Sequence, residues 1–368
     1  MKRPAKAVVI SGYYGFGNAG DEAVLFSIIQ TLRSLRQNLR LIVLSQDPAK
    51  TAKAYGVEAV NRWNVFTVLK ALRQADLLIS GGGSLLQDVT GPRSILYYLG
   101  IVWAAKLLRR RVIFYSQGIG PVNGVAGRRL VKKIANRVDV ITVRDDRSRK
   151  ELLDMEVTQP PLYLTADPVL GLSRQDLNLN AAKELLLRNG IDPFRPVLGV
   201  SVREWRGLTG YYQVLAKGCD HLARHGWQVV FIPMHFPSDI APSREVARWM
   251  KESSVILREN SPVTTVMGVI GHTSLMLGMR LHALIVAAVA GVPVVGISYD
   301  PKVTSFLKLV EQPAAGKVET LTEAELIQTL DQVILNITKQ QEKVEERVAE
   351  LRQDARKAAH LTLELLDK

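Results

Sequence analysis

The sequence predicts an α/β protein built of two Rossmann-like domains, and three observations carry that prediction. Short apolar runs rich in Val, Ile and Leu alternate with helical stretches through both halves of the chain, the order that builds a parallel sheet covered by helices. The loops that follow those runs hold most of the clustered glycine and charge, so they gather at one sheet edge. At 368 residues there is chain enough for two cores, and the polar stretch from Gly171 to about Asn180 reads as the hinge between them. The expected domains are 1–172 and 173–368.

Taken in order, Ala7–Ser11 reads as the first strand and Gly12–Gly20 as a loop. Asp21 to Leu35 reads as a helix, with Ala23, Phe26, Ile29 and Leu32 near helical spacing. Gly15, Gly17 and Gly20 match the Gly-x-Gly-x-x-Gly pattern of dinucleotide sites. Two features argue against NAD: Gly12, Tyr13 and Tyr14 separate the strand from the first glycine, and Asp21 and Glu22 put negative charge where a pyrophosphate would sit. Asp21 is alternatively a simple helix cap. No Gly-Lys-Ser/Thr follows, so this is not a Walker loop. It reads as a mobile, glycine-rich wall of a sugar pocket, with Gly17 and Asn18 as contacts.

Leu41–Ser45 and Ala75–Ser80 are the next strands, with an amphipathic helix over Val65–Leu72 after Trp63. The run Gly81-Gly-Gly-Ser-Leu-Leu-Gln-Asp88 follows a strand; Gly82 and Gly83 allow a ligand's close approach, and Gln87 and Asp88 offer partners for hydroxyls. A helix near Ile95–Leu108 precedes Arg109–Arg111. Strand Val112–Ser116 leads into Gln117-Gly-Ile-Gly-Pro121, and a basic helix covers Arg128–Arg137. Val140–Val143 ends in Arg144-Asp-Asp-Arg-Ser148, and Tyr163–Thr165 with Ala166-Asp-Pro-Val169 closes the first domain.

In the second domain, strand Val197–Val202 is followed by Arg203-Glu-Trp-Arg206, helix Tyr211–His225, strand Gln228–Pro233 and the loop Met234-His-Phe-Pro-Ser-Asp239. His221 and His225 stand four apart on a helix but have no third ligand, so they read as surface residues. His235 stands at a strand end, open to either a cleft or a surface position. Ser274–Leu277 is a strand, and Gly278 permits the turn after it. Leu281–Ala290 is an apolar helix closed by Gly291 and Pro293, and Val294–Ser298 is a doubly buried strand. Such a crossover makes the two strands parallel, and as neighbours they lie about 4.8 Å apart. Arg280 and His282 on one loop then meet Tyr299, Asp300 and Lys302 on the other. Three potential cations beside a helix N-terminus make an anion site; the bland alternative is two solvated charges and a helix-start histidine. From Thr338 to Leu366 a charged amphipathic helix of roughly 40 Å is long enough to pack back on the first domain.

Composition bounds the partners. The net charge is +13, and ten cations fall between Asp88 and Asp139, where no acidic residue occurs: Arg93, Lys106, Arg109, Arg110, Arg111, Arg128, Arg129, Lys132, Lys133 and Arg137. The remainder of the chain carries +3 by the same count. Such a belt suits nucleic acid or an anionic membrane surface, and no recognisable nucleic-acid module accompanies it. The single Cys219 excludes an internal disulfide or a cysteine-based metal cluster and fits a cytoplasmic protein. After Lys2, Arg3 and Lys6 the apolar run Ala7–Ile10 is too short for a secretion signal, and Ala283–Ile297 is too short and too interrupted for a transmembrane span.

The stretches Gly12–Glu22, Gly81–Asp88, Gln117–Pro121, Arg144-Asp145, Gly278-Met-Arg-Leu-His282 and Asp300-Pro-Lys302, in this order, resemble the polysaccharide pyruvyl transferase family over about Val8 to Leu309. The resemblance is closest to its S-layer anchoring, CsaB type. It implies a GT-B-like pair of Rossmann-like domains facing across a cleft, with phosphoenolpyruvate as donor. The implied acceptor is N-acetylmannosamine in a lipid-pyrophosphate-linked disaccharide, and the product a 4,6-linked pyruvate ketal. Arg144, Arg280, His282 and Lys302 are the implied donor-site residues; Leu281, Gln117 and Asp300 lie within the same motifs as further substrate contacts.

The residues agree with that donor. Arg280 can clamp one anionic group of phosphoenolpyruvate bidentately while Lys302 neutralises the other. Histidine changes charge nearest neutral pH, which makes His282 the expected general acid toward the donor's methylene carbon. Asp21, Asp88 and Asp145 are the candidate bases. No metal and no cofactor is needed where cationic side chains carry the charge. The enzymatic alternative is a GT-B nucleotide-sugar glycosyltransferase of cell-wall polysaccharide synthesis; a nucleic-acid binder would leave the glycine-rich loops unexplained. A lipid-linked acceptor implies a protein peripheral at the inner membrane face. The belt is its expected dock, with Ile95–Leu108 as either its apolar part or merely a core helix, and Trp63 and Phe66 as a rival contact.

Overall fold

The buried apolar runs assemble into a seven-stranded and a six-stranded sheet, each parallel throughout. The computed structural model describes residues 5–88, 91 and 93–368; Lys2, Arg3 and the side chain of Arg93 lie outside the described residues. Two units are present: residues 1–16, 24–171 and 351–368 form the first, and residues 17–23 and 172–350 the second.

The first unit begins with β1 (Lys6–Ser11) and holds α1 (Ala19–Leu35) from Val24 onward, then β2 (Leu39–Ser45), α2 (Pro48–Tyr55), β3 (Glu58–Asn61), α3 (Val65–Gln74) and β4 (Leu77–Gly81). It continues through α4 (Arg93–Leu107), β5 (Arg111–Gln117), α5 (Val125–Ala135), β6 (Val140–Val143), α6 (Asp146–Asp154) and β7 (Leu162–Leu164). The strand order is β3-β2-β1-β4-β5-β6-β7. β1, β4 and β5 are buried almost end to end, as strands covered on both faces must be. Around them pack Leu72, Leu99, Val102, Phe114, Ile141 and Leu152. The C-terminal segment joins this unit through polar contacts: Arg356 Nε donates to the Gly171 carbonyl at 3.1 Å, Arg36 pairs with Asp367 at 2.6 Å, and Arg111 donates to the Leu365 carbonyl.

The second unit holds α7 (Leu179–Arg188), β8 (Val197–Ser201), α8 (Gly210–Arg224), β9 (Gln228–Phe231), α9 (Ile240–Trp249), β10 (Val255–Ile256) and α10 (Val263–Gly271). After these come β11 (Leu275–Gly278), α11 (Leu281–Val289), β12 (Val294–Ser298), α12 (Pro301–Leu309), β13 (Ala314–Lys317), α13 (Glu323–Leu335) and the start of α14 (Ile337–Asp367). Its order is β10-β9-β8-β11-β12-β13. The stretch read as a polar hinge is docked: Arg174 donates to the carbonyls of Ala290 at 2.5 Å and Gly271 at 3.0 Å.

Both sheets are doubly wound with the order reversing after the first three strands, which confirms the Rossmann-like expectation twice. Two local readings change. α1 starts at Ala19, two residues earlier than expected, because Asn18 rather than Asp21 supplies the side-chain oxygen to its first turn. Gly278 lies inside β11 rather than in a turn. A Cβ there would stand 2.8 Å from Leu284 Cδ2, so glycine lets α11 lie close on its own strand. Among the described residues no helix is long and apolar enough to cross a membrane.

Candidate functional site

In the second unit the loops after β8, β9, β11 and β12 share the carboxyl edge of the sheet. Arg280 is the residue from which α11 springs, and Leu281 and His282 form its first turn, half-buried. Arg280 is not a free clamp. Its Nε donates to Asp239 Oδ2 at 2.9 Å and its Nη2 to Oδ1, closing a bidentate fork on a carboxylate that is 2% exposed. Asp239 also accepts the backbone N–H groups of Met234 at 3.2 Å and His235 at 2.9 Å. A buried ion pair so fully hydrogen-bonded fixes geometry. The Nε edge of Arg280 is therefore already committed, and only the remaining donors can meet a ligand.

The segment that begins α1 sits against this edge. Ala19 N donates to the Met234 carbonyl at 2.7 Å and Phe236 N to the Gly17 carbonyl at 3.0 Å, with Asn18 bridged antiparallel to His235. Gly17 (φ +76°) has the Phe236 carbonyl oxygen 2.9 Å from where a Cβ would be. The loop read as a mobile wall is thus pinned by backbone hydrogen bonds. Gly20 lies closer still: its Cβ would stand 2.5 Å from Nδ1 of His282, so the glycine is what allows the helix start to meet the imidazole. Asn18 Nδ2 donates to Asp21 Oδ2 at 2.6 Å, which holds that carboxylate in the same turn. On the neighbouring loop Asp300 caps α12 by accepting Lys302 N at 2.9 Å, a structural task for a residue expected to contact substrate; the Lys302 side chain is half-buried.

Gly17, Asn18, Asp21, Arg280, Leu281, His282, Asp300 and Lys302 thus belong to one unit. Gly82, Gly83, Asp88, Gln117 and Arg144 belong to the other. There the space over Gly82 is filled from within the fold. The fully buried Tyr14 donates to the Gly81 carbonyl at 2.7 Å, and a Cβ on Gly82 would stand 2.5 Å from its hydroxyl. Gly83 (φ +62°) takes a left-handed conformation and accepts Gly118 N at 3.0 Å. Gln117 is buried and ties β5 to β4, its Nε2 donating to the Ser80 carbonyl at 2.7 Å. Arg144 forms a buried pair with Asp167 at 2.5 Å and reaches Ser84 Oγ at 3.4 Å. Asp88 accepts the N–H groups of Asn123 and Gly124, each at 2.7 Å, and Asp145 caps α6. Both carboxylates hold backbone in place. Arg62, not singled out by sequence, is 4% exposed, donates to the Gly12 carbonyl at 2.7 Å and is ringed by Phe16, Trp63, Tyr97 and Tyr98.

The basic belt is partly consumed by the fold. Lys106 pairs with Asp139 at 2.7 Å, Arg128 with Glu151 at 3.1 Å and Lys132 with Glu156 at 2.7 Å, whereas Arg109, Arg129, Lys133 and Arg137 are exposed. Ile95–Leu108 packs into the core on one face and carries exposed apolar side chains on the other. Ile95, Leu99, Val102 and Ala105 are buried, while Leu96, Trp103 and Leu107 stand out to solvent at 58%, 46% and 61% exposure. Trp63 and Phe66 are exposed as well, and Trp63 touches Tyr97 of α4 with ring centres 5.1 Å apart. His221 pairs with Asp331 at 2.7 Å, and among the described residues no cluster of His, Cys, Asp and Glu could hold a metal ion.

The model of the family described as polysaccharide pyruvyl transferase matches residues 18–301. The amylovoran biosynthesis protein AmsJ of Erwinia amylovora is 21% identical over 407 residues, covering 93% of this chain and 94% of that protein. Among solved structures, Anabaena Alr3699/HepE in complex with UDP-glucose is 13% identical with a TM-score of 0.66, covering 97% of this chain and 99% of that one. The UDP-GlcNAc 2-epimerase of Neisseria meningitidis bound to UDP-GlcNAc is 12% identical with a TM-score of 0.68 and coverage of 98% and 99%. At these identities the likeness speaks to the fold alone, which is GT-B-like with two Rossmann-like domains.

Proposed function

The chain belongs to the polysaccharide pyruvyl transferase family, and from that premise we propose that it moves pyruvate from phosphoenolpyruvate to a sugar of a lipid-pyrophosphate-linked disaccharide. The acceptor in this reading is N-acetylmannosamine, the product is a 4,6-ketal, and the pathway is secondary cell-wall polymer synthesis for S-layer anchoring. The observation that carries it is the start of α11, where Arg280 is locked by Asp239 and His282 is pressed against Gly20. A guanidinium, an imidazole and helix amides meeting at one sheet edge suit a small dianionic donor. AmsJ, itself named for amylovoran biosynthesis, supports the broader assignment.

In the proposed reaction His282 donates a proton to the methylene carbon of phosphoenolpyruvate, and the C2 centre becomes electrophilic. The first sugar hydroxyl attacks C2 while a carboxylate takes its proton. The C2–O bond to phosphate then breaks, inorganic phosphate leaves with the proton the carboxylate had taken, and the second hydroxyl closes the ketal as its proton returns to His282. Asp21 is the proposed base, since it shares the first turn of α1 with the glycine that touches His282, whereas Asp88 and Asp145 are spent on backbone N–H groups. Arg280 and Lys302 take the donor's negative charge, and the reaction needs no metal or cofactor. We further propose that the protein docks on an anionic inner membrane surface through the outer face of α4, with Arg109 and the exposed cations of α5 beside it.

The test is incubation with phosphoenolpyruvate and candidate lipid-linked acceptors, read by mass spectrometry for the ketal and by assay for phosphate. Transfer from phosphoenolpyruvate that persists in EDTA is the expected result. Sugar transfer from a nucleotide sugar, with phosphoenolpyruvate left intact, would replace this reading by that of a glycosyltransferase.

A further inference from the structure

A second arginine follows the strand next to the one that leads to Arg280. Ser201 of β8 pairs with Gly278 of β11, and Arg203 and Arg280 each lie two residues beyond that pair. Adjacent strands are about 4.8 Å apart. These two strands are also where the order of the sheet reverses, the position at which doubly wound sheets bind their ligands. Arg203 Nη1 donates to Tyr299 Oη at 3.0 Å. Tyr299 follows β12, on the far side of β11, so this bond links the loops after β8 and β12 across the end of β11.

The charge balance of the two arginines differs. Arg280 gives two donors to the buried Asp239, which cancels its charge locally. Among the described residues no carboxylate pairs with Arg203; its other bond is a long one to the Glu204 carbonyl at 3.4 Å. The guanidinium is nevertheless held in one orientation. The Tyr299 ring centre is 4.7 Å away and that of Trp205 5.5 Å, and Tyr211 Oη fixes the Arg203 carbonyl at 2.6 Å. A guanidinium has five N–H donors, and an arginine stacked on rings with most of them unspent is a preformed anion receptor.

We infer that Arg203 binds an anionic group of the donor, the carboxylate or phosphate of phosphoenolpyruvate, over the end of β11. The inference rests on the donor proposed above. Its test is titration calorimetry with phosphoenolpyruvate and steady-state kinetics on wild type, Arg203→Gln, Arg203→Lys and Arg206→Gln, each with a thermal melt. Losing a charge-assisted hydrogen bond should raise Kd and KM for phosphoenolpyruvate roughly 10–100-fold in Arg203→Gln. kcat should change far less, and Arg203→Lys should recover part of the loss. Arg206, stacked on Trp205 at 4.9 Å but not bonded to Tyr299, serves as the control whose affinity stays unchanged. Wild-type binding with equal affinity in Arg203→Gln overturns the assignment alone, as does a variant that loses stability but keeps its KM. Wild-type protein that binds no phosphoenolpyruvate overturns the donor, and the assignment falls with it.

Discussion

Gly20 and Asp239 set what the site's two central side chains can do. An alanine at position 20 suits a helix better than glycine, yet its methyl would overlap the His282 ring, 2.5 Å from Nδ1. Gly20→Ala is therefore expected to keep the melting temperature while lowering kcat at least tenfold; wild-type turnover would mean that the imbedded imidazole plays no part in proton transfer. Asp239→Ala should act the other way. It strips a half-buried arginine of its partner, a change that costs roughly 3–5 kcal/mol when the pair is fully buried, and the loss is read by denaturant melts. How much of this was legible in sequence follows from distance along the chain. Arg280, Leu281 and His282 are contiguous after a strand and announce themselves. Asp239 lies 41 residues from Arg280, at the end of a loop whose glycine-free sequence marks no site, and nothing local says which acid an arginine will find. Gly20 was visible as part of a dinucleotide pattern and of the Gly12–Glu22 motif; its real constraint, an imidazole 262 residues further along the chain, is tertiary.

At the scale of elements, the strands buried on both faces were readable because their sequence is continuously apolar, and the helices between them because glycine and proline punctuate their ends. Three of the stretches passed over lack those signals. α2 is a polar helix set by the Asp47 cap and Gly56 in the left-handed region. β3 and β10 are edge strands, half-exposed and only four and two residues long, too short to show a period. α4 was ambiguous for a physical reason: it is apolar on both faces, so periodicity cannot separate the buried side from Leu96, Trp103 and Leu107. That outer face supports a prediction for docking. Trp103→Glu with Leu107→Glu should abolish co-sedimentation with vesicles containing anionic lipid, leaving the melting temperature unchanged. Arg129→Glu, Lys133→Glu and Arg137→Glu together should weaken it in a salt-dependent way, by about 1 kcal/mol per cation engaged. Arg128 and Lys132 are poor choices for that experiment, since their ion pairs with Glu151 and Glu156 would be lost as well. Vesicle binding that survives both sets would remove α4 and α5 as the dock.

Over the whole molecule the net charge of +13 makes stability a question of pH, and the groups that respond fall on opposite sides of neutrality. Hydrogen bonds from Arg40 to Glu58, from Arg36 to Asp367 and from Thr322 to Glu325 hold those three carboxyls below their ordinary range. A depressed carboxylate stabilises the fold above its unfolded pKa of about 4 and ceases to do so as pH falls through its folded value, so acid should loosen the protein below about pH 4. On the alkaline side burial pushes the Cys219 thiol well up, and the hydroxyls of Tyr115 and Tyr211 with it. For a group raised in the folded state the sign reverses: its contribution is full below the unfolded pKa and is lost as pH rises, because the unfolded chain then sheds the proton that the folded one keeps. The unfolded value is about 8.5 for cysteine and about 10 for tyrosine, so Cys219 responds first. Melting temperature should accordingly be flat from about pH 5 to 8 and decline above about pH 8.5. Cys219 and Tyr211 lie in the second unit, which should therefore weaken before the first. Cys219→Ala, though less stable at every pH for the atom it removes, should show no decline between about pH 8.5 and 10. A slope there equal to that of wild type would mean that the buried thiol is not what the alkaline chain unfolds to ionise.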